Sequence, residues 1–426
     1  MNLIRLTALF FKGLERNFKI IRYGNVPDIY KTAVFMERYA FAKNGLRAYP
    51  RSIKELGKHL LRPKLKIYDL PSVSAIYCGG SANNEREFSF FSELLEDTPS
   101  LDVYQRPSNL SFVPSKEVKK TPQERVLSVL VFFFCCLYLL RVKLGPISLK
   151  YLIYYSKVFL QLYCSARRQG LRARLAVVAN DHTDFPVVTS MIMQYFEVPV
   201  VYVQHAEISE SFPALDFDVS ILRNKQSLIK YRDIGKARGD VFIVPRRDKD
   251  DRFEQVFEGS SQTKTSAVIY LSSVYNCDAL RDTIALLESN PSVEMVAVKP
   301  HPRDDVGMLK AIPGIKIVDS IPTYQHVAVV PNSSVVVELL EKGVPVFQNF
   351  ELDEVGRDYY GFVENGIVCE ISAKDLSLEF WKTDFYNGHW LARFSQYSPS
   401  VDETWREAMP RLESKIKSYL TPTAVF

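Results

Sequence analysis

Val293-Glu294-Met295-Val296-Ala297-Val298 runs directly into Lys299-Pro300-His301-Pro302-Arg303, and His326-Val327-Ala328-Val329-Val330-Pro331 runs likewise into Asn332-Ser333-Ser334. Short runs rich in β-branched residues and bounded by turn signals read as buried strands. Each of these two ends in a polar loop. In a parallel α/β sheet, ligands bind outside the carboxyl ends of the strands, where loops and helix N-termini meet. From Ser333 to Gly343 the chain reads as a short helix, opened by serines and closed by a glycine. Free backbone N–H groups and two hydroxyls at such a start suit a phosphate. His301 would add a donor or a cation for the same anion.

The same alternation extends outward in both directions. Downstream, strands are expected at 344–347 and 366–371; upstream, at 267–271, which leads through Ser272 and Ser273 into a helix. A strand at 315–318 and a helix near 304–312 fill the interval. Further upstream, 174–179 reads as a strand followed by the loop Asn180-Asp181-His182-Thr183, a helix to about 196, and a strand at 198–203 ending in Gln204-His205-Ala206-Glu207. A short strand at 219–222 follows. Ser74 to Cys78 reads as a strand closed by Gly79-Gly80, with a helix from about 85 to 95. Residues 96–121 read as an irregular excursion, with helices at 122–143 and 148–169. Regular alternation of this kind argues for α/β architecture with parallel, doubly wound sheets. The expected organisation is a first Rossmann-like domain over 1–245, a charged linker over 246–265, a second Rossmann-like domain over 266–400, and a helix over 401–426 packing back across the junction.

Composition narrows the function. With 426 residues, 47% apolar and 24% charged, the chain is an ordinary globular protein with room for two domains. A net charge of +5 without clustered basic patches does not suggest nucleic acid. It does suit a small anionic ligand or an anionic membrane surface. The six cysteines are scattered and form no CxxC pair, which fits free thiols in a reducing cytoplasm. No metal site is indicated: there is no isolated DxD triplet, and the acids at 248, 250 and 251 lie in the charged linker. From Val126 to Leu140 the chain is almost wholly apolar between Arg125 and the pair Arg141 and Lys143. This stretch reads as a buried core helix or as a helix at a membrane interface; it falls short of the roughly 20 residues a span requires.

His301-Pro302 and Ser333-Ser334 resemble the "HP" and "SS/ST" motifs of bacterial GT-B-fold glycosyltransferases that use CMP-activated acidic sugars, the sialyltransferases and the Kdo (3-deoxy-manno-octulosonate) transferases. In those families both motifs hold the CMP. The resemblance covers roughly residues 174–350. It implies a GT-B fold of two Rossmann-like domains facing a cleft, and transfer of a 2-keto-3-deoxy sugar acid from a CMP donor to a lipopolysaccharide or capsule glycan, free or lipid-linked. It implies no cofactor besides that donor, and a cytoplasmic location at the inner face of the inner membrane, with peripheral contact through 126–143. The acidic catalytic motif of the sialyltransferases has no counterpart here. Asn180-Asp181-His182 and Gln204-His205-Ala206 stand at strand ends instead, which points towards the β-Kdo transferases. Polyol-phosphate transferases of teichoic acid synthesis, with an "HG" and an "HP" motif, are the nearest alternative, and a non-catalytic nucleotide-binding scaffold is a third.

Each candidate residue has a plainer role beside its functional one. Asp181 and His182 are expected as catalytic groups, since glycosyl transfer needs a carboxylate as base or nucleophile; Asp181 would otherwise cap the next helix. His205 is expected to move a proton or meet a sugar carboxylate, or to be a satisfied structural histidine. Lys299, His301, Pro302, Ser333 and Ser334, with Ser272 and Ser273, are the expected nucleotide and phosphate site. Glu338 would bind ribose hydroxyls or stand as a surface acid. Gly79 and Gly80 would let an acceptor approach the backbone.

Overall fold

The protein is described by a computed structural model covering residues 2–22, 48–70, 73–79, 82–95, 103–105, 114–141, 146–209, 212–245, 255–259, 263–272, 275–301, 309, 312, 315–353, 356–399 and 404–421. Fourteen strands occur among these residues. In chain order they are β1 (Lys64–Tyr68), β2 (Ala75–Cys78), β3 (Val103–Gln105), β4 (Pro114–Lys119), β5 (Leu175–Val178), β6 (Val200–Val203), β7 (Val219–Leu222), β8 (Asp240–Ile243), β9 (Thr265–Tyr270), β10 (Val293–Lys299), β11 (Lys316–Ile317), β12 (Val327–Val330), β13 (Val346–Gln348) and β14 (Cys369–Glu370).

The apolar runs become parallel strands because helices cover both faces of their sheets. The first sheet has the order β3-β2-β5-β6-β7-β8, and the second β11-β10-β9-β12-β13-β14. Every pairing within them is parallel. Counted within its own domain, the second sheet runs 3-2-1-4-5-6, the dinucleotide-fold order, and its direction of winding reverses between β9 and β12. The first sheet reverses between β2 and β5. Two doubly wound domains whose carboxyl strand ends face one cleft are the GT-B architecture.

Three features depart from the sequence reading. Residues 96–121 include β3 and β4, and β4 pairs antiparallel with β1, a strand the sequence reading passed over. Both are rich in lysine; in β1 only Leu65, Ile67 and Tyr68 turn inward, so no apolar run announces the pair. The N-terminal residues form two helices, Leu3–Arg22 and Ala48–Leu60. Leu6, Phe10 and Leu14 of the first lie at helical spacing and enter the core of the first domain. Within the expected linker, Val256–Gly259 is a turn of helix and β9 already begins at Thr265. The helix expected near 304–312 lies largely outside the described residues.

Helix Pro122–Arg141 starts with a reciprocal cap. Thr121 N donates to Glu124 Oε2 at 2.8 Å, and Glu124 N donates to Thr121 Oγ1 at 3.3 Å. The C-terminal helix Trp405–Leu420 leaves the second domain and lays Met409, Leu412, Ile416 and Leu420 on the first sheet, beside Tyr77, Val177 and Val201. Arg174 Nη1 donates to the carbonyl of Leu420 at 2.6 Å and anchors its end.

Candidate active site in the interdomain cleft

The loops after the strands of both sheets line one cleft of about 540 Å³. His205 and Glu207 follow β6, and Arg223 and Asn224 follow β7. Facing them are Lys299 and His301 at the end of β10, and Ser333 and Ser334 after β12. The domains also touch directly. Lys230 Nζ donates to the carbonyl of Tyr360 at 2.6 Å, and the hydroxyls of Ser209 and Tyr359 are 2.6 Å apart.

The first domain shapes its wall with buried amides. Gln204 Oε1 accepts from Arg223 N at 2.9 Å, while its Nε2 donates to the Ala206 carbonyl at 2.7 Å and to Ser227 Oγ at 2.8 Å. One glutamine thereby ties the loop after β6 to the loop after β7. Asn224 caps helix Lys225–Ile234 by accepting from Ser227 N at 2.7 Å, and turns its Nδ2 to the two oxygens of Glu207, at 3.1 and 3.2 Å. Glu207 is 4% exposed. Burial pushes its carboxyl above the ordinary glutamate value, and the Arg223 guanidinium and the Asn224 hydrogen bond only partly oppose this. A carboxyl raised by burial at the wall of a cleft is a candidate functional group. Glu207 was not among the residues expected at the site, because its burial depends on Asn224 from another strand end. Arg223 was not singled out at all; its place directly after an apolar strand was the available signal. Its Nη2 lies 3.3 Å from Glu87 Oε1.

Asp181 does not reach the cleft. It is fully buried, with Oδ1 accepting from His182 Nδ1 and Oδ2 from the Tyr231 hydroxyl, both at 2.8 Å. Burial alone would raise its carboxyl, yet the hydrogen bond and charge of His182, with Arg16 and Tyr231, hold it below the ordinary aspartate value. The expectation that Asp181 acts directly as base or nucleophile is therefore corrected: it does not line the cleft, and its two oxygens are engaged by His182 and Tyr231. Nor does Asp181 cap the following helix. Asn180 Oδ1 accepts from His182 N at 3.0 Å and Thr183 N at 2.8 Å, and Asn180 Nδ2 sits 3.4 Å from His205 Nε2. The His182 and His205 rings are 6.4 Å apart, and of the two only His205 lines the cleft, so the expectation of His182 as a directly catalytic group is corrected with that of Asp181.

On the second domain, the loop after β12 is braced by Asp353, which accepts from Asn332 N at 3.0 Å, and Asn332 Oδ1 accepts from Tyr359 N at 2.8 Å. Ser334 stands at the cap of helix Val335–Glu341 without using its hydroxyl as a capping acceptor. Val335 N lies 3.4 Å from Ser333 Oγ. Desolvation in the cleft lowers the Lys299 ammonium below the ordinary lysine value, although Glu338 opposes it. Such a half-buried cation gains from an anion that displaces its lost water. Glu338 lines the cleft as expected, but it is engaged there: Arg86 Nη1 reaches its two oxygens at 3.2 and 3.3 Å across the cleft. Arg86 was not anticipated from the sequence. Ser272 is buried and lies off the cleft wall, while Leu271 before it lines the cleft. Pro302, Ser273 and Gly80 lie outside the described residues. Gly79 follows β2 and does not line the cleft. A Cβ there would stand 2.7 Å from Asn84 Cβ and 2.8 Å from the Tyr77 ring, so the required close approach is to the next helix and not to an acceptor. Among the described residues, no cluster of His, Cys, Asp and Glu could hold a metal ion.

No family model and no curated protein matches this chain. Solved structures resemble it over most of its length. The glycosyltransferase of kitacinnamycin is 12% identical and covers 82% of this chain and 98% of its own, at a TM-score of 0.48. A Listeria monocytogenes protein described as a UDP-N-acetylglucosamine 2-epimerase is 12% identical, over 82% and 97%, at 0.44. MurG of Acinetobacter baumannii is 10% identical, over 81% and 98%, at 0.37. At these identities the likeness concerns the fold alone, and one fold serves many reactions. The reaction must be argued from the cleft.

Proposed function

We propose that the chain is a glycosyltransferase drawing on a nucleotide-activated sugar bound in this cleft. The donor we favour is a CMP-activated 2-keto-3-deoxy sugar acid of the Kdo type, and the acceptor a bacterial surface glycan. One observation carries the reading: a single cleft holds His205, Glu207 and Arg223 from one domain opposite Lys299, His301, Ser333 and Ser334 from the other. In the proposed reaction the second domain holds the phosphate, and its cationic and hydroxyl donors stabilise the charge on the departing CMP. The bond between anomeric carbon and phosphate oxygen breaks, with its electron pair leaving on CMP. The acceptor oxygen bonds to that carbon and gives its proton to His205. Glu207 offers a carboxylate to the oxocarbenium-like centre. Arg223 on one wall and Lys299 on the other suit a donor that carries both a sugar carboxylate and a phosphate. No metal and no further cofactor enter the proposal, and the setting proposed is the cytoplasmic face of the inner membrane.

The test is thermal stabilisation of wild type and His301→Ala by CMP, CDP, UMP and UDP. A ligand at one hundred times its dissociation constant adds about 2.7 kcal/mol. Selective stabilisation by CMP, lost in the variant, is the expected result. Preference for CDP would turn the reading towards polyol-phosphate transfer. Preference for a uridine nucleotide would remove the CMP donor while leaving glycosyl transfer to be assayed.

A further inference from the structure

Helix Pro122–Arg141 has two faces, and only one belongs to the protein interior. Leu127, Val131, Cys135, Tyr138 and Leu139 are buried in the core of the first domain. On the opposite side Val126, Val129, Phe133 and Leu137 are 56, 55, 54 and 45% exposed. Their spacing of three, four and four residues sets them in one ridge along the helix. At 20 residues the helix is long enough to span a bilayer, but its buried face and the Glu124–Arg168 ion pair hold it flat against the domain.

The neighbouring helices widen the ridge. Phe11 of helix Leu3–Arg22 packs edge-on against Phe134 at 5.2 Å. Ile4, two helical turns before Phe11 on the same side of that helix, is 86% exposed. On the other flank, a Cβ at Gly57 would lie 3.7 Å from Phe132 and 3.9 Å from Leu61, which is 44% exposed. Cations fringe this strip: Arg125 on the ridge helix, Lys116 and Lys119 on the strand leading into it, and Lys58, Arg62 and Lys66 around Leu61, all exposed. The acids Glu55 and Glu117 pair with Lys58 and Lys64. Burial lowers the His59 imidazole, and the charges of Lys157, Arg62 and Lys58 lower it further against the opposition of Glu55.

We propose that this face seats on an anionic membrane surface, with the ridge of Val126, Val129, Phe133 and Leu137 in the acyl boundary and the fringing Lys and Arg residues on lipid phosphates. A flat apolar ridge with a basic rim is the chemistry of interfacial docking. The cations gather at the N-terminal end of the ridge, where Lys64 pairs with Lys119 and Lys120 N donates to the Pro63 carbonyl, and lipid phosphates would meet them there. This inference stands apart from the donor assignment, because no residue of the cleft takes part.

The test is co-sedimentation of the whole chain with phosphatidylglycerol and with phosphatidylcholine vesicles. Binding is expected to phosphatidylglycerol, to weaken with salt, and to fall roughly tenfold or more in Phe133→Ser/Leu137→Ser. Arg62→Gln/Arg125→Gln should weaken binding several-fold at low salt only. All four side chains are at the surface, so an unchanged melting temperature will confirm that each variant is folded. Absence of binding to phosphatidylglycerol vesicles would overturn the proposal, as would equal binding by Phe133→Ser/Leu137→Ser. So would a vesicle-free dimer that dissociates in that variant, since the face would then join two copies of the chain.

Discussion

The two sheets present their carboxyl ends to the same cleft by different means. In the second domain the wall is a matter of winding order: the direction of winding reverses between the paired strands β9 and β12, and the loop with Ser333 and Ser334 follows β12. In the first domain the wall is a matter of side chains. Gln204 and Asn224 cross from one strand end to the next and hold His205, Glu207 and Arg223 in place. A backbone-built wall suits a constant group such as a phosphate. A wall of buried, mutually oriented acids and imidazoles suits proton transfer and variable substrates. The expectation is that the first domain governs turnover and the second governs nucleotide affinity.

Five substitutions would break or sharpen that division. His205→Ala should cost about 10²- to 10⁴-fold in kcat/KM while leaving CMP binding intact; steady-state kinetics beside calorimetric titration check it, and lost binding would blur the two roles. The buried acids come next, because they should move in opposite directions. The lowered Asp181 carboxyl contributes stability above the ordinary aspartate value, and that contribution is lost as pH falls through its folded value. Asp181→Asn should therefore destabilise the protein by about 3 kcal/mol at neutral pH, measured by denaturant unfolding, with the deficit shrinking in acid. The raised Glu207 carboxyl does the reverse: its contribution is present below the ordinary glutamate value and lost as pH rises through the folded value. Glu207→Gln should leave neutral stability unchanged or higher, lower kcat, and abolish an acidic limb of the rate profile lying above the ordinary carboxylate range.

Lys299→Ala tests the other wall, with CMP affinity expected to fall about tenfold and kcat to change less. The smallest effect belongs to Arg86→Gln. Its ion pair with Glu338 is about half exposed on the arginine side, so the loss of stability should stay below about 1 kcal/mol. A larger loss would mean that this pair, and not the contacts of Tyr359 and Tyr360, sets how the domains meet.

Much of the architecture was legible because period and punctuation coincide in it. The strands at 175–178, 200–203, 293–299 and 327–330 are apolar runs cut by polar loops. Lys299, His301, Ser333 and Ser334 stood out as the polar ends of two such runs, and His205 as the end of a third. Asp181 was read by the same rule and misplaced: strand-end position says which edge a residue is near, but not whether its side chain points to the cleft or to Tyr231 in the core. Glu207 and Arg223 failed in the opposite sense, since their burial comes from Asn224 and Glu87, which are distant in the chain.

By itself the sequence determined two parallel, doubly wound units and the strand ends at which a ligand would meet them, because apolar runs cut by polar loops are a local property of the chain. Only the tertiary structure decided which of those polar residues share a cleft, which carboxyl is raised and which lowered, and which side of helix Pro122–Arg141 stays exposed. Those outcomes depend on desolvation and on partners supplied by other strands, and no local pattern encodes them.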